Sequence, residues 1–235
     1  MAFTWGDFHD IVGMRLRRMG AEDDVLDLLM AGYVLLQEVV DAYDLTAYTV
    51  QTDALFLTET GHRDYPLPDD FGRLPHVHDE VRPNRAGTGI GGVFLRRSVT
   101  DPAVPLQYED PLTFRHRSTL TPSTPQYFTL GQHAGQRALF LDPPPDANSG
   151  VPYVGDGVYI ARVQRPDLED AILLDEPTML VEGVLAQLAL DKGLPQAQGL
   201  QATYQRQLSA LVNNEARKAQ QFHTARWPVN RTNTR

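Results

Sequence analysis

The sequence predicts an α+β fold: a helical bundle made from the two ends of the chain, a small antiparallel β domain inserted between them, and an extended C-terminal tail. Three observations lead there. Apolar residues recur at helical spacing over residues 5–43 and again from about 177 to 212. In between, the period falls to two, and short apolar runs alternate with Pro and Gly clusters. The last residues lose all periodicity and collect positive charge. The predicted organisation is residues 1–46 and 175–222 for the bundle, 47–174 for the β-rich domain, and 223–235 for the tail.

Thr4 suits the N-cap of a first helix, with Asp7 in the capping-box position three residues on. Trp5, Phe8, Val12, Leu16 and Met19 then share a face, and Gly20 closes the helix. A second helix opens on Glu22, Asp23 and Asp24, acids that favour the positive end of the helix dipole, and runs to about Tyr43. Its middle, Leu28 to Leu36, is apolar nearly all round, so it needs cover on every side and invites a second subunit.

From about Ala47, the reading turns to strands. Ala54–Thr58 and Asp64–Leu67 are expected to pair as a hairpin around Gly61. Further strands are expected at Gly92–Val99, Gln126–Leu130, Arg137–Leu141 and Gly157–Val163, a spacing that suggests a sandwich or barrel. Arg73–Gly92 reads as a long loop. Helical spacing returns at Pro177, with Val181, Leu185 and Leu188 on one face and Gly193 and Pro195 as the stop. A last helix places Leu200, Tyr204, Leu208 and Leu211 together, and Thr224–Arg235 is expected to be extended.

Composition narrows the function. The chain has 235 residues and no cysteine, which excludes disulfides, thiolate zinc sites and a cysteine nucleophile, and fits a reducing cytoplasm as the place of synthesis. No apolar run approaches the roughly 20 residues of a membrane span, and residues 1–7 lack the pattern of a signal peptide. Residues 215–235 carry five cations against Glu215, a balance of +4. The overall charge of −9 therefore leaves −13 on residues 1–214. Such a body is a poor binder of phosphate backbones, whereas a basic tail is suited to an acidic protein surface.

Catalytic motifs are weak. Gly87, Gly89 and Gly92 match the dinucleotide fingerprint in letters, but a polar stretch precedes them and a strand pattern follows, so a loop is expected. His76, His78 and Glu80 alternate, yet nothing supplies the further ligand of a metal-dependent hydrolase. His116, between Arg115 and Arg117, reads as a cationic surface patch. No Gly-x-Ser-x-Gly elbow is present, and Asn230-Arg231-Thr232 is a chance sequon. The expectation is a non-enzyme without cofactor, metal or catalytic residue. The tail is more informative: Arg226, Trp227, Pro228, Arg231 and Arg235 combine one aromatic anchor, a rigid residue and spaced cations, the composition of an interface segment.

Four stretches carry a family resemblance: Thr58–Gly61 leading into Tyr65–Phe71, Thr124–Phe128, Ala138–Asp146, and Glu176–Gly183. In this order, between flanking helices, they resemble the head–tail adaptors of tailed phages, similar to the tail tubular protein A class of short-tailed phages. The resemblance implies a virion ring, commonly of twelve subunits, between the portal and a tail or nozzle protein, with double-stranded DNA passing through. It implies that the tail reaches the portal, and the tail's composition leads to the expectation of Trp227 in a portal pocket and Arg226, Arg231 and Arg235 on acidic portal groups. Another virion ring protein, a tail terminator or neck stopper, is the nearest alternative.

Overall fold

The computed structural model describes residues 2–20, 25–75, 90–98, 100–117 and 121–226. The chain divides into two compact units, Met1–Tyr48 with Val163–Arg235 and Thr49–Arg162. Helices α1 (Trp5–Arg18) and α2 (Val25–Ala42) come first. Strands β1 (Thr49–Leu57), β2 (Asp64–Pro66), β3 (Phe71–Arg73), β4 (Ile90–Arg96) and β5 (Val104–Tyr108) follow. Then come helix α3 (Pro111–Arg117) and strands β6 (Tyr127–His133), β7 (Gln136–Asp142) and β8 (Val154–Ala161). Helices α4 (Thr178–Asp191) and α5 (Ala197–Arg226) end the described chain. The fold is α+β.

In the helical unit, local chemistry sets the ends of α1. The Asp7 N–H donates to the Thr4 hydroxyl at 3.1 Å, the Thr4 N–H donates to the Asp7 carboxylate at 2.9 Å, and Gly20 takes φ +75° past the C-terminus. The core is filled by Trp5, Phe8, Val12 and Leu16 of α1, Leu28, Leu36, Val39 and Val40 of α2, and Met179–Val181 with Val184–Ala186 of α4. Within the unit, α2 finds much of the cover its apolar surface demands. Leu28 and Leu36 are buried, and Val34 is left 48% exposed. Two glycines permit the close packing. A Cβ on Gly32 would lie 2.6 Å from the Phe8 ring and 2.9 Å from that of Trp5. One on Gly183 would lie 2.9 Å from the Tyr204 ring and closer still to Leu35.

The predicted boundaries shift at three places. The β-rich part begins at Thr49 rather than 47 and ends at Arg162 rather than 174. Residues 163–174 belong to the helical unit because their backbone pairs with the start of α1. The Gly6 N–H donates to Leu168 O at 2.8 Å, Trp5 N–H to Asp170 O at 3.0 Å, and Ile172 N–H to Phe3 O at 2.9 Å. At the other end, helix continues through Arg226, so residues 223–226 are helical and not extended. The remainder of the predicted tail lies outside the described residues.

The sheet unit is one eight-stranded sheet in the order β1-β8-β4-β5-β6-β7-β2, with β3 also paired to β8. All pairings are antiparallel except β5 with β6. The expected hairpin does not form. β1 pairs with β8 (Leu57 opposite Val154), and β2 pairs with β7 (Tyr65 opposite Leu139). The reason lies in the connection, where Thr58 turns its backbone N–H to Tyr153 O at 3.0 Å and Gly61 donates to Pro145 O at 2.8 Å. The end strands β1 and β2 are consecutive in sequence, and the rings of Phe56 and Tyr65 stack with centroids 4.9 Å apart. The sheet therefore curls until its ends meet through side chains without backbone pairing, as in an open barrel. Phe56, Tyr65, Val93, Leu95, Leu106, Phe128, Leu139, Leu141 and Tyr153 fill the interior.

Candidate interaction site

Helix α5 is 30 residues long, about 45 Å at 1.5 Å per residue. Leu200, Tyr204 and Leu208 are half-buried and Leu211 is 1% exposed, so an apolar seam runs from Leu200 to Leu211. A polar clasp takes over one turn later. Glu215, 7% exposed, accepts the Thr46 backbone N–H at 2.6 Å and the Lys218 ammonium at 2.8 Å. Lys218 also bonds the Asp175 carboxylate. Burial pushes the Glu215 carboxyl up, but the bonds from Lys218 and Thr46 outweigh it and hold the group below its ordinary value. The bonds to Asp175 and then Glu215 hold Lys218 above its ordinary value. The clasp fixes the register of α5 before it carries its last turns to Arg226. Of the predicted interface residues, Arg226 is the final helical position, and Trp227, Pro228, Arg231 and Arg235 lie outside the described residues.

A second cluster gathers three of the four sequence stretches named above at one end of the sheet. The Pro143–Pro145 turn is held by the Ser123 N–H on Pro144 O at 2.8 Å and by Gly61 on Pro145 O. Tyr153 is the hub. Its N–H donates to the Thr58 hydroxyl at 2.8 Å, and its own hydroxyl donates to the Asp146 carboxylate at 2.7 Å. With that proton committed, the Thr124 hydroxyl at 3.1 Å is left to donate to the Tyr153 oxygen. Beside them, Arg63 pairs at 2.8 Å with Asp142, only 2% exposed, and its guanidinium lies 5.8 Å from the centroid of the Phe114 ring. These groups satisfy one another, and their chemistry is that of a rigid turn. The turn residues are legible in the sequence, but Arg63 and Tyr153 are not, because nothing local marks a partner about 80 or 95 residues away.

The weak catalytic readings divide in two. Gly92 lies in β4, where a Cβ would overlap the carbonyl oxygen of Val158, so close strand packing accounts for that glycine. His116 lies in α3. His76, His78, Glu80, Gly87 and Gly89 lie outside the described residues. Among the described residues, no group of three His, Cys, Asp or Glu side chains is placed to hold a metal, and no helix is long and apolar enough to cross a membrane.

Residues 6–231 match the family of the SU10 adaptor protein. The chain belongs to this family, which makes it a structural head–tail adaptor of a bacteriophage and places it in the virion among head and tail proteins. No curated protein matches it.

Proposed function

We propose that the chain forms a ring beneath the portal of a tailed phage, joins head to tail, and lines the channel through which double-stranded DNA leaves. The family match over residues 6–231 carries this reading. Charge supports it: the −13 balance of residues 1–214 repels DNA and lowers sticking during passage. The ring follows the tail tubular protein A pattern of twelve subunits, with a tail or nozzle protein on its far side. The C-terminal segment is its contact to the portal, with Trp227 as the apolar anchor, Pro228 limiting its freedom, and Arg226, Arg231 and Arg235 paired with portal carboxylates. Helix α5 supports this role, because its clasp at Glu215 leaves three further turns of helix leading to the segment. Mixing the purified subunit with its cognate portal ring and imaging the product by electron microscopy tests the reading. A second ring on one face of the portal is expected; particles without added density would overturn it.

A further inference from the structure

In the sheet unit, a groove of about 320 Å³ opens beside β3, β6 and β7. Leu67, Leu74 and Leu130 pack against the sheet core on one side and line this groove on the other. Arg73, Gln132 and Arg137 also line it. The Arg137 guanidinium donates to Gly72 O at 2.6 Å and Phe71 O at 3.3 Å. Those carbonyls carry no net charge, so Arg137 keeps its positive charge beside an apolar lining.

The helical unit displays the complementary element. Residues 167–173, Asp-Leu-Glu-Asp-Ala-Ile-Leu, hold three acids and no cation. Leu168 is 48% exposed and Leu173 54%, and all three acids are exposed. The segment is already held by backbone hydrogen bonds from Gly6 and Trp5 and to Phe3. Little conformational entropy remains to be lost when it binds. Acids interleaved with exposed leucines match a groove lined by leucines and arginines in both charge and polarity.

We propose that residues 167–173 of one copy seat in the Leu67–Leu74–Leu130 groove of a second copy, with Leu168 in the groove and Glu169 on Arg137. The two surfaces are different, so the contact is heterologous: each subunit offers a strap to one neighbour and a groove to the other. Such contacts close into a ring when the rotation per subunit permits. The inference rests on the ring reading above and supplies its subunit interface.

The cysteine-free chain makes the test direct. Gln132→Cys places a thiol at the exposed groove margin, and Leu173→Cys places one on the strap. The two single variants are mixed on the portal ring and treated with a short bis-maleimide. A cross-linked dimer is expected from the mixture and from neither variant alone. Rings that assemble on the portal without this cross-link overturn the interface and leave the ring reading standing. Failure of both variants and of the unmodified chain to form rings overturns that reading, and this interface with it. As an independent check, Arg137→Glu is expected to abolish assembly and Glu169→Arg in the same chain to restore it; a lack of rescue with both proteins folded counts against the pairing.

Discussion

Glu215 accepts the backbone N–H of Thr46 at 2.6 Å, so a carboxylate on α5 holds the segment that leaves α2 for β1. The two residues are 169 positions apart, and the bond registers the last helix against the first half of its unit. Glu215→Ala leaves the Thr46 donor without its acceptor and Lys218 with Asp175 alone. The expected loss is about 1–2 kcal/mol, since the amide is half-buried and the lysine partly solvated. Urea unfolding of the variant beside the parent measures it.

The same carboxylate gives a pH signature. Its folded-state pKa lies below the ordinary 4.5, so its contribution is fully present above that value and is lost as pH falls through the folded value. In Glu215→Gln the group no longer titrates. The difference in stability between parent and variant is therefore expected to be constant from pH 6 to 8 and to shrink below about 4.5. Chemical denaturation at several pH values checks this; a gap that widens on acidification contradicts the assignment.

Two glycines on neighbouring helices separate propensity from packing. Gly199 on α5 has nothing within 4 Å of a would-be Cβ, so Gly199→Ala is expected to stabilise by about 0.5–1 kcal/mol. Gly183 on α4 has the same propensity to gain, but its Cβ would press on Leu35 and Tyr204. Overpacking of that kind costs about 1–3 kcal/mol, so Gly183→Ala is expected to destabilise on balance. Opposite shifts in thermal midpoint are the expected result.

What could be read in advance follows the reach of the interactions. The Thr4–Asp7 box and the Gly20 and Gly193 stops are local, and they stand where the sequence puts them. The strands at 126–130 and 137–141 were visible because period-2 runs are separated by a tight turn, and β6 and β7 do pair. The strand Val104–Tyr108 was missed because Pro105 breaks its pattern; it sits where pairing with β4 shifts register. The hairpin at 54–67 failed because the partner of β1 comes a hundred residues later. Residues 163–174 lack periodicity because backbone bonds to residues 3–6, not a side-chain pattern, hold them. At the candidate site, the charge of the C-terminal segment was legible, while the Glu215 clasp was not, since it depends on Thr46 and Asp175 arriving from elsewhere.

Arg63 and Asp142 give a test in the sheet unit. Asp142 is 2% exposed, and a buried carboxylate deprived of its cation costs far more than the intact pair contributes. Arg63→Met preserves much of the aliphatic stem over Phe114 and removes only the charge and its donors. A loss of about 3 kcal/mol is expected, partly recovered in the double variant with Asp142→Asn. A double-mutant cycle by denaturant unfolding measures the coupling, and purely additive losses would show that the pair is not the source.

The C-terminal segment supplies the test closest to function. Its residues 227–235 follow a helix already pinned at Glu215 and Lys218, and among the residues whose burial is described the core of the helical unit reaches that clasp. Truncation after Arg226 is therefore expected to leave the unfolding midpoint unchanged. It removes Trp227 and two of the three arginines assigned to the portal, and with them the apolar anchor and most of the charge complementarity. Binding to the portal ring is expected to fall by at least two orders of magnitude, and Trp227→Ala alone by one or more, as for a central aromatic anchor. Raising the salt concentration in the parent should weaken binding in the same direction as replacing Arg231 and Arg235 with Gln, because both act on the same charge pairs. Sedimentation of subunit with portal rings reads all of these. If the truncated subunit still sediments with the portal at the parent's affinity, the contact lies elsewhere on the subunit.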